Sequence, residues 1–265
     1  MKIYVINLKR RSDKKEKMLK QFKDLSINNF EFIEAVDGND LTKNEFLQVI
    51  DYKKMELISR KLTNAEIGCA LSHKIVYEKI INGPEYRSII LEDDVILEKG
   101  FVNIASINGN SIANIDILFL GLSTSNIEND GVKKYEYQKI GKYITNRGLV
   151  SRCYFKDQKV KVNDIDFYKI HEVSYKRDFL ISAYAYAPTK ETCKKFLKAN
   201  TPIIMQADYI WNFYHNFSMF APLNQLVKYN LDDISDIETE RYQYEHNAQH
   251  SNKFLQRINH PDFNT

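Results

Sequence analysis

The sequence predicts an α/β fold with a mixed, mainly parallel sheet, and three observations lead to this prediction. Short apolar runs alternate with amphipathic stretches of helical period from the N-terminus onwards. The chain has 265 residues, of which 43% are hydrophobic and 12% aromatic, so it can bury a large core. No internal repeat or low-complexity tract divides it. We therefore expect a single domain over residues 1–265.

The N-terminal region predicts a strand, a helix and a second strand in that order. Ile3–Leu8 is an apolar strand, and Asn7 lies near its end, where a polar side chain can face a ligand. Ser12 and Asp13 are candidate caps for the helix that follows. Phe30–Val36 has the composition of the second strand. This order favours parallel pairing of the two strands.

Two capping boxes predict the next helices. Thr42 with Glu45 begins a short helix, and Thr63 with Glu66 begins a longer one that ends before Gly83. In a capping box, the first side chain and the fourth bond each other's backbone amides, which leaves fewer unsatisfied donors at the helix start. The two boxes therefore predict helices that start directly after Thr42 and Thr63.

The second half of the chain predicts fewer regular elements. Asp116–Gly121 and Phe179–Ala187 predict strands, and Thr189–Leu197 predicts a helix. Between the two strands, Ser123–Arg177 has no dominant hydrophobic period. We interpret it as an insertion beside the site, with small strands such as Val150–Phe155.

Three consecutive carboxylates, Glu92, Asp93 and Asp94, are set into the apolar run Ser88–Leu97. Charges at the end of a buried strand must be hydrated, paired or bound to a cation. Because side chains alternate along a strand, we expect Glu92 and Asp94 to point to the same side and to bind Mg²⁺ or Mn²⁺. Hydrated loop charges are the structural alternative.

Two other protein classes that carry acids at strand ends fit this segment poorly. An aspartyl-phosphate phosphatase needs an aspartate in place of Glu92, and a receiver domain carries its acids after the first strand of the chain.

The charges are unevenly distributed, although the net charge is only +3. Lysines and arginines crowd residues 9–23, which is typical of a hydrated helix face or of a surface that contacts lipid headgroups or sugar-nucleotide phosphates. So small a net charge does not indicate nucleic-acid binding. The three cysteines lack CxxC spacing, and no apolar run reaches membrane-spanning length. We expect a cytoplasmic protein that can contact the inner face of the inner membrane peripherally through residues 9–23.

Four segments resemble glycosyltransferase family 25, which includes bacterial lipooligosaccharide glycosyltransferases and the galactosyltransferase domains that act on collagen. They occur in the family's order, and the third is the most specific. The segments are Tyr4–Arg10, Phe32–Gly38, Leu62–His73 and Ile90–Val95. Beyond residue 100 the resemblance thins, because Ala183-Tyr184 matches a later strand of the family but Leu180-Ile181 replaces its usual Gly-Thr.

The resemblance implies a nucleotide-sugar transferase of the GT-A type, which is Rossmann-like, with inverting stereochemistry and a UDP-sugar donor. It implies Glu92 and Asp94 as ligands of Mn²⁺ or Mg²⁺, with Asp93 either turned towards the donor sugar or placed behind the metal ligands. It also implies that Ser72 and His73 contact the donor. A third metal ligand stays open among His215, His246 and His250.

Two residues after the first strand and one late residue complete the predicted site. Asn7 and Arg10 stand where open α/β sheets bind nucleotides, so we expect both to contact the donor, with turn capping as the alternative. An inverting transfer needs a base for the acceptor hydroxyl. Asp208 is the candidate, because it lies at a predicted helix start whose dipole keeps a carboxylate ionised; a plain N-cap is the alternative.

The predicted reaction is the metal-assisted transfer of a hexose, galactose or glucose, from a UDP-sugar to a lipooligosaccharide or another cell-surface glycan. Residues 1–122 would bind the nucleotide-sugar, 123–178 would form the insertion, 179–229 the acceptor side and 230–265 a tail. Two alternatives stay open: transfer to a protein side chain, and a catalytically inactive carbohydrate-binding or scaffold protein of the same fold. A metal-dependent phosphohydrolase is a more distant possibility.

Overall fold

The computed structural model describes eight segments of the chain, and the fold is stated for these residues. They are 1–58, 62–121, 125–129, 133–136, 152–173, 184–213, 217–222 and 224–230.

The described residues form twelve strands, six α-helices and two short 3-10 helices. The strands are β1 (Lys2–Asn7), β2 (Phe30–Glu34), β3 (Ser88–Glu92), β4 (Val95–Leu97), β5 (Ile117–Phe119), β6 (Ser125–Asn129), β7 (Lys133–Glu136), β8 (Arg152–Val162), β9 (Ile165–Val173), β10 (Ala185–Pro188), β11 (Met219–Pro222) and β12 (Val227–Tyr229). The α-helices are α1 (Ser12–Asp24), α2 (Lys43–Val49), α3 (Tyr52–Ile58), α4 (Asn64–Asn82), α5 (Phe101–Ala105) and α6 (Lys190–Ala199). The 3-10 helices are Gly109–Ile112 and Ile210–Phe213.

Ten of the described strands form one mixed sheet in the order β2-β1-β3-β10-β5-β11-β9-β8-β7-β6, and β4 pairs with β12 separately. β1 is parallel to both β2 and β3, and β5 is parallel to β11. β10 runs antiparallel between β3 and β5. The predicted α/β fold on a mixed sheet is confirmed, with parallel pairing concentrated in the N-terminal part.

The parallel trio β2, β1 and β3 brings three strand ends to one edge of the sheet. Asn7 at the end of β1 is level with Glu34 at the end of β2, and Ile6 is level with Glu92 at the end of β3. Polar side chains that lie far apart in sequence therefore meet at the carboxyl edge, where open α/β sheets bind ligands.

Apolar residues cover both faces of this trio. Side chains alternate along a strand, so Ile3 and Val5 of β1 belong to one cluster, whereas Tyr4 and Ile6 belong to the other. The first cluster includes residues from α1 and α5, and the second includes residues from α4 and α6. The parallel trio is thus packed between helices on both sides, as expected for parallel strands.

α1 begins differently from the prediction. Ser12 is the first helical residue, and the N-cap is Arg11, whose side chain makes no capping hydrogen bond. Arg11 instead pairs with the Asp13 carboxylate at 2.9 Å. The prediction that Ser12 and Asp13 cap α1 is therefore wrong: the chain turns into the helix one residue earlier, and the charge of Asp13 lies in the first turn.

α1 presents most of the N-terminal basic cluster to solvent. Six cations of this cluster are exposed, two just before α1 and four on it: Lys9, Arg10, Lys15, Lys17, Lys20 and Lys23. Arg11 is partly buried, and Lys14 is buried on the side of α1 that faces the sheet. Within the described segments, no helix has both the length and the apolar character that crossing a bilayer requires.

Both predicted capping boxes are confirmed. At α4, the Glu66 backbone amide donates to Thr63 Oγ1 at 3.2 Å, and the Thr63 amide donates to Glu66 Oε2 at 2.9 Å. The same arrangement of Thr42 and Glu45 begins α2. α4 ends before Gly83, as predicted.

Two glycines let the loop after β2 lie directly against α4. A Cβ at Gly68 would lie 2.5 Å from the Val36 carbonyl oxygen and 2.6 Å from the Gly38 amide nitrogen. A Cβ at Gly38 would overlap the carbonyl group of Asn64. Because backbone meets backbone here, neither contact can be relieved by rotating a side chain.

The acidic segment is not extended throughout. β3 ends at Glu92, and Asp93 and Asp94 form a tight turn before β4. The expectation that Glu92 and Asp94 share one side of a continuous strand is therefore wrong, since alternation does not apply across a turn. The turn still places all three carboxylates at the carboxyl edge of the sheet.

The second half of the sheet is more regular than predicted. β8 and β9 form a long hairpin whose two-residue turn, Asn163-Asp164, has φ angles of 43° and 67°. Positive φ at both positions is what such hairpin turns require, and Asn and Asp tolerate it. β9 then pairs with β11, so the predicted insertion contributes strands to the main sheet. The proposed division of the domain into parts stays a prediction.

The later strand and helix are largely as predicted. β10 covers Ala185–Pro188 and ends within one residue of the predicted strand end at Ala187. Thr189 is the N-cap of α6. The predicted strand start at Phe179 lies outside the described residues, as do the predicted tail beyond Asn230 and His215, His246 and His250. Tyr186 and Trp211 are buried in the core.

Candidate functional site

A cleft opens at the carboxyl edge of β1, β2 and β3. Its walls are the loop after β2, the first half of α4 and the acidic turn after β3. Six of the eight predicted site residues line it: Arg10, Ser72, His73, Glu92, Asp93 and Asp94. Asn7 and Asp208 are not among its described lining residues.

Asn7 supports the acidic turn. Its Nδ2 donates to Asp93 Oδ2 at 2.6 Å and to the Arg11 carbonyl oxygen at 3.0 Å. The side chain is buried, and Nδ2 uses its hydrogens in these two bonds within the protein. Asn7 thereby fixes Asp93 against the start of α1, which differs from the predicted direct contact with a donor.

Lys14 is a buried cation beneath the same turn. Its side chain is 2% exposed, and its Nζ lies 3.2 Å from Asp94 Oδ2 and 3.5 Å from Asp93 Oδ1. Burial alone would lower the pKa of Lys14, but the attraction of Asp94 and Asp93 raises it. The lysine therefore stays charged and offsets part of the repulsion between the carboxylates.

Asp94 is nevertheless not fully satisfied. Burial, followed by repulsion from Glu92, raises the pKa of Asp94 to about 7. Its Oδ1 is buried and has no hydrogen-bond partner within the described part of the chain. A buried carboxylate oxygen without a donor is costly, so Asp94 is suited to accept a cation or a hydroxyl from a ligand in the cleft.

The raised pKa of Asp94 predicts a pH-dependent stability. Between the usual carboxyl pKa of 3.8 and the folded value of about 7, the folded protein binds more protons than the unfolded chain. Its free energy of unfolding should therefore fall as the pH rises from about 4.5 to 7, by at least about 1 kcal/mol relative to Asp94→Asn. Urea unfolding of both proteins at several pH values measures this difference. Parallel curves would show that the pKa of Asp94 is not raised.

Glu92 and His73 meet in the cleft. His73 Nε2 lies 3.4 Å from Glu92 Oε1, and His73 Nδ1 lies 2.9 Å from the hydroxyl of Tyr186. That hydroxyl is 2.7 Å from the hydroxyl of Tyr77. The imidazole is 1% exposed and stacks against the Tyr186 ring. Core hydroxyls thus orient His73, and its Nε2 side faces Glu92.

Ser72 and Arg10 hold the loop after β2 in place. Ser72 Oγ donates to the Gly68 carbonyl oxygen at 2.7 Å and accepts from the Val36 amide at 2.9 Å. Arg10 Nε donates to Asp37 Oδ2 at 2.8 Å, and this hydrogen bond holds the pKa of Asp37 below its usual value. Ser72 therefore joins α4 to the loop after β2, and Arg10 closes that loop at the rim of the cleft.

Asp208 lies in a turn and not at the start of an α-helix as predicted. The turn precedes the 3-10 helix Ile210–Phe213, and Asp208 is half-buried. Its neighbour Gln206 donates to Glu66 Oε1 at 2.5 Å, next to Ala65, which lines the cleft. The turn is thus attached to the N-terminal end of α4. The role of Asp208 as base stays a prediction.

Three residues of the site are absent from the sequence predictions: Lys14, Asp37 and Cys69. Lys14 is one of many lysines in its region, and only its helical spacing of four from Met18 indicates that it faces inward. Asp37 lies within the Phe32–Gly38 segment that resembles the family, but no role is predicted for it. Cys69 lies one helical turn before His73, so the i, i+4 spacing could have linked the two.

Sequence comparisons with known proteins identify one family. The sequence model of glycosyltransferase family 25 (LPS biosynthesis protein) matches residues 1–211. Human procollagen galactosyltransferase 2 is 35% identical over 103 residues, or 37% of this chain and 16% of that protein. A procollagen lysyl hydroxylase and glycosyltransferase of Acanthamoeba polyphaga mimivirus is 38% identical over 133 residues, or 44% of this chain and 14% of that protein. The human inactive glycosyltransferase 25 family member 3 is 31% identical over 103 residues, or 37% of this chain and 17% of that protein. The chain therefore matches about a sixth of the length of these relatives.

Proposed function

Because the chain belongs to glycosyltransferase family 25, we propose that it transfers a hexose, galactose or glucose, from a UDP-sugar to an acceptor hydroxyl. The observation that carries this proposal is the cleft at the carboxyl edge of the parallel strands, which the Glu92-Asp93-Asp94 turn lines. Such edges bind nucleotides in open α/β sheets, and a carboxylate cluster there suits a sugar diphosphate with its cation.

We propose that Glu92 and Asp94 hold a Mn²⁺ or Mg²⁺ ion. The buried Asp94 Oδ1, which has no donor among the described residues, supports a ligand at this point. When bound, a divalent cation would offset the negative charge that develops on the departing diphosphate. Arg10 stands at the rim with its side chain half-exposed, where it can contact a phosphate. Ser72 and His73 shape the wall that would face the sugar.

The proposed transfer inverts the anomeric centre. The acceptor oxygen attacks the anomeric carbon from the face opposite UDP and forms the new C–O bond. The bond between that carbon and the diphosphate breaks, and UDP leaves with the electron pair. Asp208 takes the proton of the acceptor hydroxyl. The link between its turn and α4, through Gln206 and Glu66, supports a position near the cleft.

Donor binding is expected to stabilise the protein in a metal-dependent way. UDP-galactose or UDP-glucose at about 100-fold its Kd should raise the Tm by about 5–10 °C with Mn²⁺ or Mg²⁺ and by much less with EDTA. Differential scanning fluorimetry with a panel of UDP-, GDP- and CMP-sugars measures the shift. If no UDP-sugar stabilises the protein with any metal, the transferase proposal is in serious difficulty.

Asp208→Asn separates chemistry from binding. The amide cannot take a proton, so sugar transfer should fall by about 10²–10⁴-fold while the donor-induced Tm shift is retained. The measurement is the release of UDP in the presence of acceptor, compared with the thermal shift of the same preparation. Unchanged turnover would remove Asp208 as the base.

The acceptor is proposed to be a lipooligosaccharide or another cell-surface glycan. A protein side chain is the second candidate, because the names of two relatives refer to procollagen. An inactive, carbohydrate-binding role is the third, and one human relative is named as inactive. The exposed cations of α1 support a cytoplasmic protein that contacts anionic lipid at the inner face of the inner membrane. Assays with glycan and with peptide acceptors distinguish the first two roles, and donor binding without turnover would favour the third.

A further inference from the structure

Three side chains of different chemistry converge on one wall of the cleft. The potential ligand atoms of Cys69, His73 and Glu92 all lie within 4.8 Å of one another. All three residues line the cleft. The set combines a thiol, an imidazole and a carboxylate, so it is not simply a cluster of acids.

Helix and sheet geometry bring these side chains together. Cys69 and His73 are four residues apart on α4 and therefore lie on the same face of the helix, one turn apart. Glu92 is the last residue of β3, which packs beneath α4 at the carboxyl edge of the sheet. Two regular elements thus hold the three residues, which gives a more rigid arrangement than loops would.

The surroundings of His73 fit a metal ligand. Its Nδ1 contacts the hydroxyl of Tyr186, which in turn contacts that of Tyr77. When Nδ1 carries the proton and donates it to Tyr186, Nε2 presents its lone pair on the side where Glu92 lies. Protein metal sites commonly fix a histidine in this way, through a hydrogen bond from its other ring nitrogen.

The neighbouring carboxylates are differently engaged. Lys14 pairs with Asp93 and Asp94 from below the turn, whereas the carboxylate of Glu92 contacts His73. Lys14 therefore already balances part of the charge of Asp93 and Asp94. Glu92 instead lies beside His73, which is itself a potential metal ligand.

We infer that Cys69 Sγ, His73 Nε2 and the Glu92 carboxylate bind a transition-metal ion of the Zn²⁺ and Co²⁺ class. Sulfur and nitrogen ligands favour these ions over Mg²⁺, which prefers oxygen ligands alone. Three protein ligands leave one position of a tetrahedral ion open towards the cleft, where an oxygen of a bound molecule can enter. Glu92 has two carboxylate oxygens, so it can contact both this ion and the cation proposed with Asp94. Binding of the transition-metal ion does not depend on hexose transfer.

Titration of the reduced protein with Co²⁺ alone tests this site. A thiolate bound to Co²⁺ gives a charge-transfer band in the near ultraviolet, and tetrahedral Co²⁺ gives intense visible bands. We expect both at one equivalent of metal in the wild type. Cys69→Ser should lose the charge-transfer band, and His73→Ala and Glu92→Gln should each weaken binding by at least about 10-fold. Zn²⁺ should displace Co²⁺ and remove the spectrum.

Matched variants make the result specific. Cys153→Ser and Cys193→Ala remove the other two thiols and should keep the band. Asp94→Asn should also keep it, whereas a cation held by Glu92 and Asp94 would lose affinity. Circular dichroism and metal-free melting identify any variant that fails to fold, and Glu92→Gln then replaces Cys69→Ser as the test. No band in the wild type, or a band that survives Cys69→Ser, overturns the inference.

Discussion

Replacing Asp94 with alanine is expected to abolish the metal-dependent stabilisation by UDP-sugars. Asp94 lines the cleft, and its buried Oδ1 is the acceptor that the described residues leave without a donor. Alanine removes both carboxylate oxygens and leaves Lys14 buried with Asp93 alone. Breaking a buried pair is costly, so Asp94→Ala should also lower the free energy of unfolding by about 3 kcal/mol.

Asp94→Asn separates the two effects of that change. Asparagine keeps the shape and one oxygen for Lys14, and the raised pKa of Asp94 means that a neutral side chain is tolerated there. Stability near pH 7 should stay close to that of the wild type, while the Mn²⁺-dependent shift with UDP-sugar is lost. Glu191→Gln, on the exposed face of α6, is the matched control and should change neither property. Retention of the full shift in Asp94→Asn would remove Asp94 from the donor site.

Gly38→Ala is expected to damage the cleft through the backbone. The added Cβ would overlap the Asn64 carbonyl group at the start of α4. Because α4 and the loop after β2 both line the cleft and pack directly against each other, they would have to separate. We expect a loss of about 3 kcal/mol, a fall in Tm of about 6–12 °C, and weaker donor binding.

Gly100→Ala is the matched control for this substitution. A Cβ at Gly100 would lie 3.1 Å from Leu226 Cδ2, a side-chain atom that can move. Its effect should therefore be small, because α-helical φ and ψ at this position suit alanine. Equal melting temperatures for the two variants would show that the close approach at Gly38 does not matter.

Local signals carried most of the fold prediction. The capping boxes at Thr42 and Thr63 are complete within four residues, so the sequence is sufficient to place both helix starts. The β8–β9 hairpin was harder, because its place in the sheet depends on β11, about fifty residues further along. The Asn163-Asp164 pair is the local signal that could have located its turn.

The sequence located the site better than it assigned roles within it. Segments recognised separately, around Asn7, His73 and Glu92, meet at one edge of the sheet because parallel strands place their carboxyl ends together. Their detailed contacts depend on tertiary packing. No sequence pattern indicated that Lys14 would pair with Asp93 and Asp94, or that Asn7 would bond to Asp93 and not face the cleft.

A crystal structure of the protein with UDP and Mn²⁺, with data collected at the manganese absorption edge, would show whether this cleft is the donor site. We expect UDP in the cleft lined by α4, the loop after β2 and the Glu92-Asp93-Asp94 turn, with its diphosphate beside that turn and an anomalous peak in contact with Asp94. UDP bound elsewhere on the protein, or an empty cleft at UDP concentrations that saturate the protein in solution, would contradict it.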